Sequence, residues 1–403
     1  MYDQFDGEME KRGLETVLVI GESTLGNPEL AYVAGTTIPR GGIFVKRRGR
    51  DPILVVSNID VGSARRGRVR KVQTYTDYHY ERLIQRHGRE RGYVKLLQSL
   101  LRSIGTEGRV CIYGHNDFSR LLSVADSLRR LGYRISGESD TTVIESLRET
   151  KDAAEVERIR DVGVRAAKVV RCTLQMLREC KVSAGKLKTK KETLTVGMVK
   201  SRINGLLAEH NLMAPEGTVF AIGKSSADPH EFGILSEPVR SGEPIVFDLF
   251  PMAADGYWFD LTRTYVIGKP SRRIRRMFEA VLDVQLKSLD SIQHGVPASQ
   301  IMNHACDTFE RYGFKTIRAT LKGDRAASRV GFIHSLGHGV GLTVGEKPYL
   351  SLLGKDTLRT GQVFTVEPGL YEPKVGGVRV EDTILLRRRR IYNLTPLEKD
   401  LTI

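Results

Sequence analysis

The stretch His334-Ser335-Leu336-Gly337-His338-Gly339-Val340-Gly341 sets two histidines four positions apart among glycines, which let a backbone come close to a neighbour. Upstream of it lie Phe247-Asp248 and Phe259-Asp260-Leu261-Thr262-Arg263-Thr264; downstream lie Val366-Glu367-Pro368-Gly369 and Val378-Arg379-Val380-Glu381-Asp382. Pro244 to Phe250 is an apolar strand interrupted by one acid, and a carboxylate buried in such a run needs a cation or a cage of hydrogen bonds. Asp260 follows Asp248 by twelve positions, past the turn signal Ala254-Asp255-Gly256. A hairpin can therefore put both acids on one face, shared with Thr262 by the period of two. The second half repeats the pattern. Gln362 to Glu367 is a β-rich run ending in an acid, and alternation along Gly377 to Ile384 sets Arg379 and Glu381 on the face opposite Val378 and Val380.

Four carboxylates aimed into one cleft repel one another unless cations neutralise them. Two divalent ions balance four carboxylates in formal charge, and one imidazole adds a neutral ligand. Such a donor set suits Mn²⁺, Co²⁺, Fe²⁺ or Zn²⁺, with Mn²⁺ the natural hard choice. His338, between two glycines, is the candidate nitrogen ligand; a loop histidine bonded only to backbone is the alternative. His334 is then free to act on substrate, as an oxyanion donor or proton shuttle. A phosphate cradle at Gly337 to Gly341 is disfavoured, since no Lys-Ser/Thr follows and no helix obviously starts, so the glycines read as room for a cleft. His230, in Ser226-Ala227-Asp228-Pro229-His230, is a lone histidine as far as spacing goes.

Composition sets outer bounds. A chain of 403 residues is long enough for two or three domains, and 40% apolar with 28% charged residues is ordinary for a soluble globular protein. No apolar run approaches the roughly 18 residues of a membrane span, and the acidic start Met1 to Asp6 lacks the apolar core of a signal peptide. A cytoplasmic location and no membrane partner are the expectation. Cys111, Cys172, Cys180 and Cys306 form no C-x-x-C pair and read as thiols in a reducing compartment. The net charge of +15 is spread over short runs: Lys46 to Arg50, Lys186 to Lys191, Arg272 to Arg276 and Arg387 to Arg390. No aromatic residues interleave with them as a stacking platform requires. These runs read as solvated faces and turns, with weak affinity for polyanions at low salt and no dedicated nucleic-acid partner.

Along the chain, residues 15–80 alternate β-rich runs with turns, and 91–134 read helix, strand, helix, which together suggest an α/β layer on a parallel or mixed sheet. The first part carries no phosphate loop, no dinucleotide fingerprint and no chemistry of its own. Thr150 or Asp152 can cap a long amphipathic helix, so the division falls at 1–148 and 149–403. Beyond it, helices at about 152–178 and 193–209 precede strands around 220–222, 245–250 and 258–267. Helices at about 271–292 and 298–312 then precede strands near 331–342, 362–367 and 378–387. Helix pair then sheet, twice, has the form of an internal repeat.

As a set, Asp-Leu-Thr-Arg-Thr at 260–264, His-Ser-Leu-Gly-His-Gly-Val-Gly-Leu at 334–342, Val-Glu-Pro-Gly-Leu-Tyr at 366–371 and Gly-Val-Arg-Val-Glu-Asp at 377–382 resembles the creatinase/prolidase/methionine aminopeptidase superfamily, the pita-bread metallopeptidases, over about 150–403. The resemblance implies an α/β (α+β) fold: a C-terminal pita-bread catalytic domain with a pseudo-twofold repeat, and a smaller creatinase-like N-terminal domain, which favours the prolidase and aminopeptidase P branch. It implies a two-metal site, with Asp248 on one ion, His338 on the other, Asp260 and Glu381 bridging, and Glu367 completing the set. Hydrolysis of Xaa-Pro bonds by a metal-bridging hydroxide would follow, with Glu367 carrying the proton, His334 contacting the scissile carbonyl, His230 contacting substrate, Arg379 supporting the site, and a homodimer as the assembly. Three positions depart from the family pattern. Leu249-Phe250-Pro251 follows the first acid in place of Asp-x-Gly, the interval to the second is twelve instead of eleven, and Gly345 stands where prolyl-specific members carry a histidine. Metal binding is expected to survive these changes. Two other readings stay open: the same metals acting on a small non-peptide substrate, and a non-catalytic peptide-binding scaffold, which the complete set of five ligands disfavours.

Overall fold

The computed structural model describes residues 2–139, 141–388 and 390–403, without the side chains of Tyr2, Asp3, Ala326 and Ala327. The chain falls into two compact units, Met1–Arg148 and Glu149–Ile403. Among the described residues no helix is long and apolar enough to cross a membrane.

The first unit is built on a six-stranded mixed sheet. Its order is Lys71–Thr74, Ile53–Val56, Gly42–Arg47, Thr16–Gly21, Arg109–Tyr113, Arg134–Ser136. The two central pairings of Gly42–Arg47 are antiparallel; the outer three are parallel. Leu96, Leu97, Leu100 and Leu101 of the helix Arg89–Ser103 bury their apolar face against Leu18, Ile43, Val45 and Val55 of the sheet. The sequence reading misses the helices Tyr2–Lys11 and Pro28–Ala34. The second had a start signal: Asn27 accepts from the Leu30 N–H at 3.0 Å, and Pro28 holds the first helical position.

In the second unit the long helix Ala153–Arg178 starts at a capping box formed by Asp152 and Glu155. The helices Arg272–Ser291 and Ala298–Arg311 pack over a core that includes Phe309, Phe332, Phe364 and Val380. Two sheets carry the acids. Val219–Ile222, Pro244–Leu249 and Leu261–Val266 form the first, antiparallel throughout, with Asp248 opposite Thr262. The second runs Val344–Glu346, Gly339–Val340, Val363–Val366, Asp382–Arg387, Arg390–Asn393, with Val366 opposite Asp382. Each sheet thus repeats one device: an acid at the end of a strand (Asp248, Glu367), and another just before the strand that pairs with it (Asp260, Glu381).

Two strand expectations are corrected. Of 331–342 only Gly339–Val340 is strand, because His334 to His338 must bend inward to bring both imidazoles to one place. The run 378–387 is two strands, Gly376–Arg379 and Asp382–Arg387, which pair in different sheets; the break at Val380-Glu381 turns Glu381 into the site.

Gly163, in the middle of the long helix, connects packing to the site. A Cβ there would meet the Phe259 ring at 2.4 Å, and Phe259 is followed by Asp260. Alanine in a helix interior is ordinarily worth about 1 kcal/mol over glycine. Here Gly163→Ala is expected to cost roughly 1–3 kcal/mol by displacing Phe259, and to weaken divalent-ion affinity. Urea unfolding with and without Mn²⁺ measures both; a stabilised variant with unchanged ion affinity would show that Phe259 does not set Asp260.

Candidate metal centre

Five side chains flagged by the sequence converge. Asp260, His338 and Glu381 each offer one ligand atom, all within 4.8 Å of one another. His338 Nε2 lies 3.6 Å from Asp260 Oδ2 and 3.4 Å from Glu367 Oε1. Asp248 closes the group from the neighbouring strand, its Oδ2 accepting from Arg379 Nη2 at 2.7 Å. Asp260 is 4% exposed and Glu381 1%.

The protein satisfies these acids only in part. Thr262 Oγ1 donates to Glu381 Oε2 at 2.6 Å and accepts from Arg379 Nε at 3.1 Å. Yet, among the described residues, Asp248 Oδ1, Asp260 Oδ1 and Glu381 Oε1 are buried without any hydrogen-bond partner. Burial, then the charges of the neighbouring acids, holds the carboxyls of Asp260 and Glu381 well above the usual carboxylate range. Burial likewise pushes Glu367 up to about 7, with Arg379 opposing. Buried oxygens with unused lone pairs beside one imidazole are the donor set a divalent cation completes, so the residues present fit the metal.

His338 has the second contact a metal-bound imidazole needs. Its Nδ1 lies 3.1 Å from the Gly339 carbonyl, which can accept its proton and leave Nε2 free. The flanking glycines serve a different purpose from the one expected. A Cβ at Gly337 would lie 2.0 Å from the Thr365 carbonyl, and one at Gly339 would lie 2.1 Å from the Lys347 carbonyl. They admit neighbouring backbone and leave no room for a cleft.

His334 sits within a buried polar chain. Its Nδ1 is 2.7 Å from the Ser335 carbonyl, which can only accept, so Nδ1 carries the hydrogen. Nε2 then accepts from Tyr371 Oη at 3.0 Å, and Tyr371 in turn accepts from Arg379 Nη1 at 2.8 Å. Burial, with Arg379 nearby, pushes His334 down to about 3, so the ring stays neutral. Arg379 therefore binds Asp248, Thr262 and Tyr371 at once. Tyr371 is the residue sequence reasoning passed over, although it ends the Val-Glu-Pro-Gly-Leu-Tyr motif; a fully buried tyrosine in a strand looks like ordinary core. His230 is exposed in the loop after Ala227, its backbone N–H donating to Asp228 Oδ1 at 3.0 Å, and the carbonyl of Pro229 faces Arg379 Nη1 at 3.5 Å.

With this geometry in place, comparison with known proteins is direct. A model of metallopeptidase family M24 matches residues 157–388. The chain belongs to that family. It is 29% identical over 304 residues to the Xaa-Pro dipeptidase of Pyrococcus furiosus, covering 73% of this chain and 82% of that protein. It is 32% identical to the Xaa-Pro dipeptidase of Pyrococcus horikoshii over 64% of this chain and 71% of that one. The crystal structure of the prolidase from Pyrococcus horikoshii OT3 superposes with a TM-score of 0.75 at 25% identity, covering 99% of both chains. The Xaa-Pro dipeptidase from Bacillus anthracis has the same fold, with a TM-score of 0.78 over 100% of this chain and 99% of that one at 20% identity. As an M24 metallopeptidase the chain takes divalent metal ions, and the acid and histidine cluster is where its own residues can hold them.

If unbalanced charge is what the cluster suffers without metal, removing one charge must help the metal-free protein. Glu381→Gln is expected to raise the unfolding midpoint of the metal-stripped chain by about 2–4 °C, the equivalent of about 1 kcal/mol in a unit of this size. It should also lower bound metal, counted by mass spectrometry, and shrink the gain in midpoint that Mn²⁺ gives the wild type. A stripped variant that melts below the stripped wild type would contradict this account.

Proposed function

We propose that this M24 chain is a two-metal Xaa-Pro peptidase, a dipeptidase or aminopeptidase P, which cleaves the bond before a proline at the second position of a peptide. The observation that carries the reading is the set of three partnerless carboxylate oxygens around His338. The proline preference rests on the likeness to the Pyrococcus dipeptidases. Asp248, Asp260, His338, Glu367 and Glu381 would hold the ions, and the oxygen-rich set favours Mn²⁺ over Co²⁺, Zn²⁺ or Fe²⁺. When bound, such ions supply Lewis acidity and lower the pKa of water.

The remaining work falls to the chain's own groups. Glu367 is the acid most available to move a proton, because Arg379 engages Asp248 and Thr262 engages Glu381. It takes one proton from the attacking water and delivers it to the departing proline nitrogen. That nitrogen carries no hydrogen in the substrate, so the pocket must recognise the ring by shape. Arg379 fixes Asp248 and Tyr371, and neutral His334 fixes the Tyr371 hydroxyl next to the acids. A direct contact from His334 to the scissile carbonyl requires its other tautomer, with Tyr371 released. His230 is assigned to substrate from the loop beside Arg379.

One observation favours a second substrate class. An added Cβ at Gly345 would meet nothing within 4 Å, so the space beside this residue is open where the family resemblance places a histidine. That room favours bulkier or non-peptide substrates as the alternative class. A cytoplasmic setting is part of the proposal, supported by four free cysteines, and so is a homodimer.

Mn²⁺-loaded protein is expected to hydrolyse Xaa-Pro dipeptides, Xaa-Pro-Xaa tripeptides or both. His334→Ala should lower kcat at least about 100-fold with metal content unchanged. No turnover on either substrate class, with bound metal demonstrated, would overturn the peptidase reading.

A further inference from the structure

The sequence reading assigns Arg387 to Arg390 to a solvated turn, and the site described above makes no use of them. The strands Asp382–Arg387 and Arg390–Asn393 pair antiparallel with Arg387 opposite Arg390. Arg388 turns the chain between them at φ 51°, in the left-handed region that costs a residue with a side chain about 1–2 kcal/mol. Tight hairpin connections ordinarily place Asn or Gly there. The turn is tied down, since the Arg388 N–H donates to Thr360 Oγ1 at 3.0 Å. Arg389 lies outside the described residues.

A cavity of about 790 Å³ opens at this turn, with Lys151, Thr360, Arg387, Arg388, Arg390 and Tyr392 among its lining residues. That volume is in the range of small-molecule sites. The ammonium of Lys151 already meets Glu346 Oε1 at 2.5 Å and so is part of the wall. The three guanidiniums differ: among the described residues none has a carboxylate within ion-pair distance. Another basic run shows the contrast. Arg273 pairs with Glu372 and lies over the Phe314 ring at 4.9 Å, and Arg276 lies over the same ring, so those charges are spent on packing.

Three unpaired cations around one concavity repel one another until an anion enters. Guanidinium forks match phosphate oxygens in pairs, and a chain of phosphates gives each of three forks its own pair of oxygens and more negative charge than a single phosphate. The Thr360 hydroxyl adds a polar contact at the wall. Tyr392, 50% exposed, offers a ring face at the rim. We propose that this cavity binds an oligophosphate, either inorganic or carried by a nucleotide, through Arg387, Arg388 and Arg390. The site stands independently of the peptidase reading.

The test is equilibrium binding of a fluorescent ATP analogue to full-length, metal-loaded protein at fixed free metal and physiological salt, with competition by ATP, tripolyphosphate and sulfate at matched ionic strength. Saturable binding is expected, weakened at least tenfold in R388A/R390E, with that variant's peptidase turnover and circular dichroism unchanged. K190E/K191E removes more positive charge from an exposed hairpin elsewhere and should bind as the wild type does. Tripolyphosphate competing as well as ATP means the phosphate chain alone is read; ATP competing tenfold better means a nucleotide is read, and either supports the proposal. Absence of saturable binding, sulfate competing as well as tripolyphosphate, or equal weakening in K190E/K191E overturns it.

Discussion

Four carboxylates share one buried pocket, and the rest of the second unit is arranged around keeping them there. Each donor the protein supplies takes one oxygen and leaves the other. Arg379 takes Asp248 Oδ2 and leaves Oδ1. Thr262 takes Glu381 Oε2 and leaves Oε1. Asp260 receives no donor of this kind: His338 Nε2 lies 3.6 Å from its Oδ2 with a lone pair free for a metal, and Oδ1 is left. A fully caged carboxylate would be comfortable and inert, and a fully naked one would take up a proton. Half-satisfied acids remain oriented and still require positive charge from outside the chain.

Holding such acids in place needs a frame that repulsion cannot spread. Arg263, 1% exposed, donates from Nη2 to Asp382 Oδ1 at 2.8 Å and to the Leu397 carbonyl at 2.8 Å. Asp382 Oδ2 accepts from Asn393 Nδ2 at 2.7 Å and pairs with Lys399 at 2.6 Å. The two acid-bearing strand starts are also stitched directly. The Glu381 N–H donates to the Thr262 carbonyl at 3.0 Å, and Thr383 Oγ1 donates to the Asp260 carbonyl at 2.6 Å. Breaking a buried pair of this kind strands a charge at a cost of several kcal/mol, so the frame is rigid where the site is strained. This explains why the Asp-Leu-Thr-Arg-Thr segment is informative as a unit. Its acid points to the metal pocket, its first threonine serves Glu381, and its arginine locks the second sheet to the C-terminal tail.

The legible part of the chain follows from the same logic. An acid in an apolar strand is a local contradiction, and Asp248, Asp260, Glu367 and Glu381 each announce it in sequence. Their repetition in two halves foretells the paired sheets. The long helix Ala153–Arg178 is readable because Asp152 marks its start and apolar spacing carries it. Features created by non-local contact were hidden. Tyr371 looks like core until Arg379 and His334 are seen on either side of its hydroxyl. The break between Arg379 and Asp382 is easy to pass over because Val378 to Glu381 keeps strand-like alternation up to it and Asp382 to Arg387 is again β-rich. The glycines beside His338 signalled close approach, but only the fold shows that the approaching groups are the carbonyls of Thr365 and Lys347.

Gly345 shows how a departure from a family pattern is absorbed. It is a bulge residue: Gly339 pairs with Glu346 and Val340 with Val344, which leaves Gly345 extra. Its φ of 84° is comfortable only for glycine, so a residue with a side chain would be strained here. Its N–H lies 3.2 Å from His338 Nδ1, where it competes with the Gly339 carbonyl for that nitrogen. When Nδ1 carries a hydrogen, that hydrogen goes to Gly339 and Nε2 is free for a metal; when Nδ1 is bare it can accept from Gly345. Restoring a histidine side chain at 345 would therefore strain the bulge and disturb the contact at His338 even though the space for it is open. At this position the chain offers the backbone N–H of Gly345 toward His338 and no side chain.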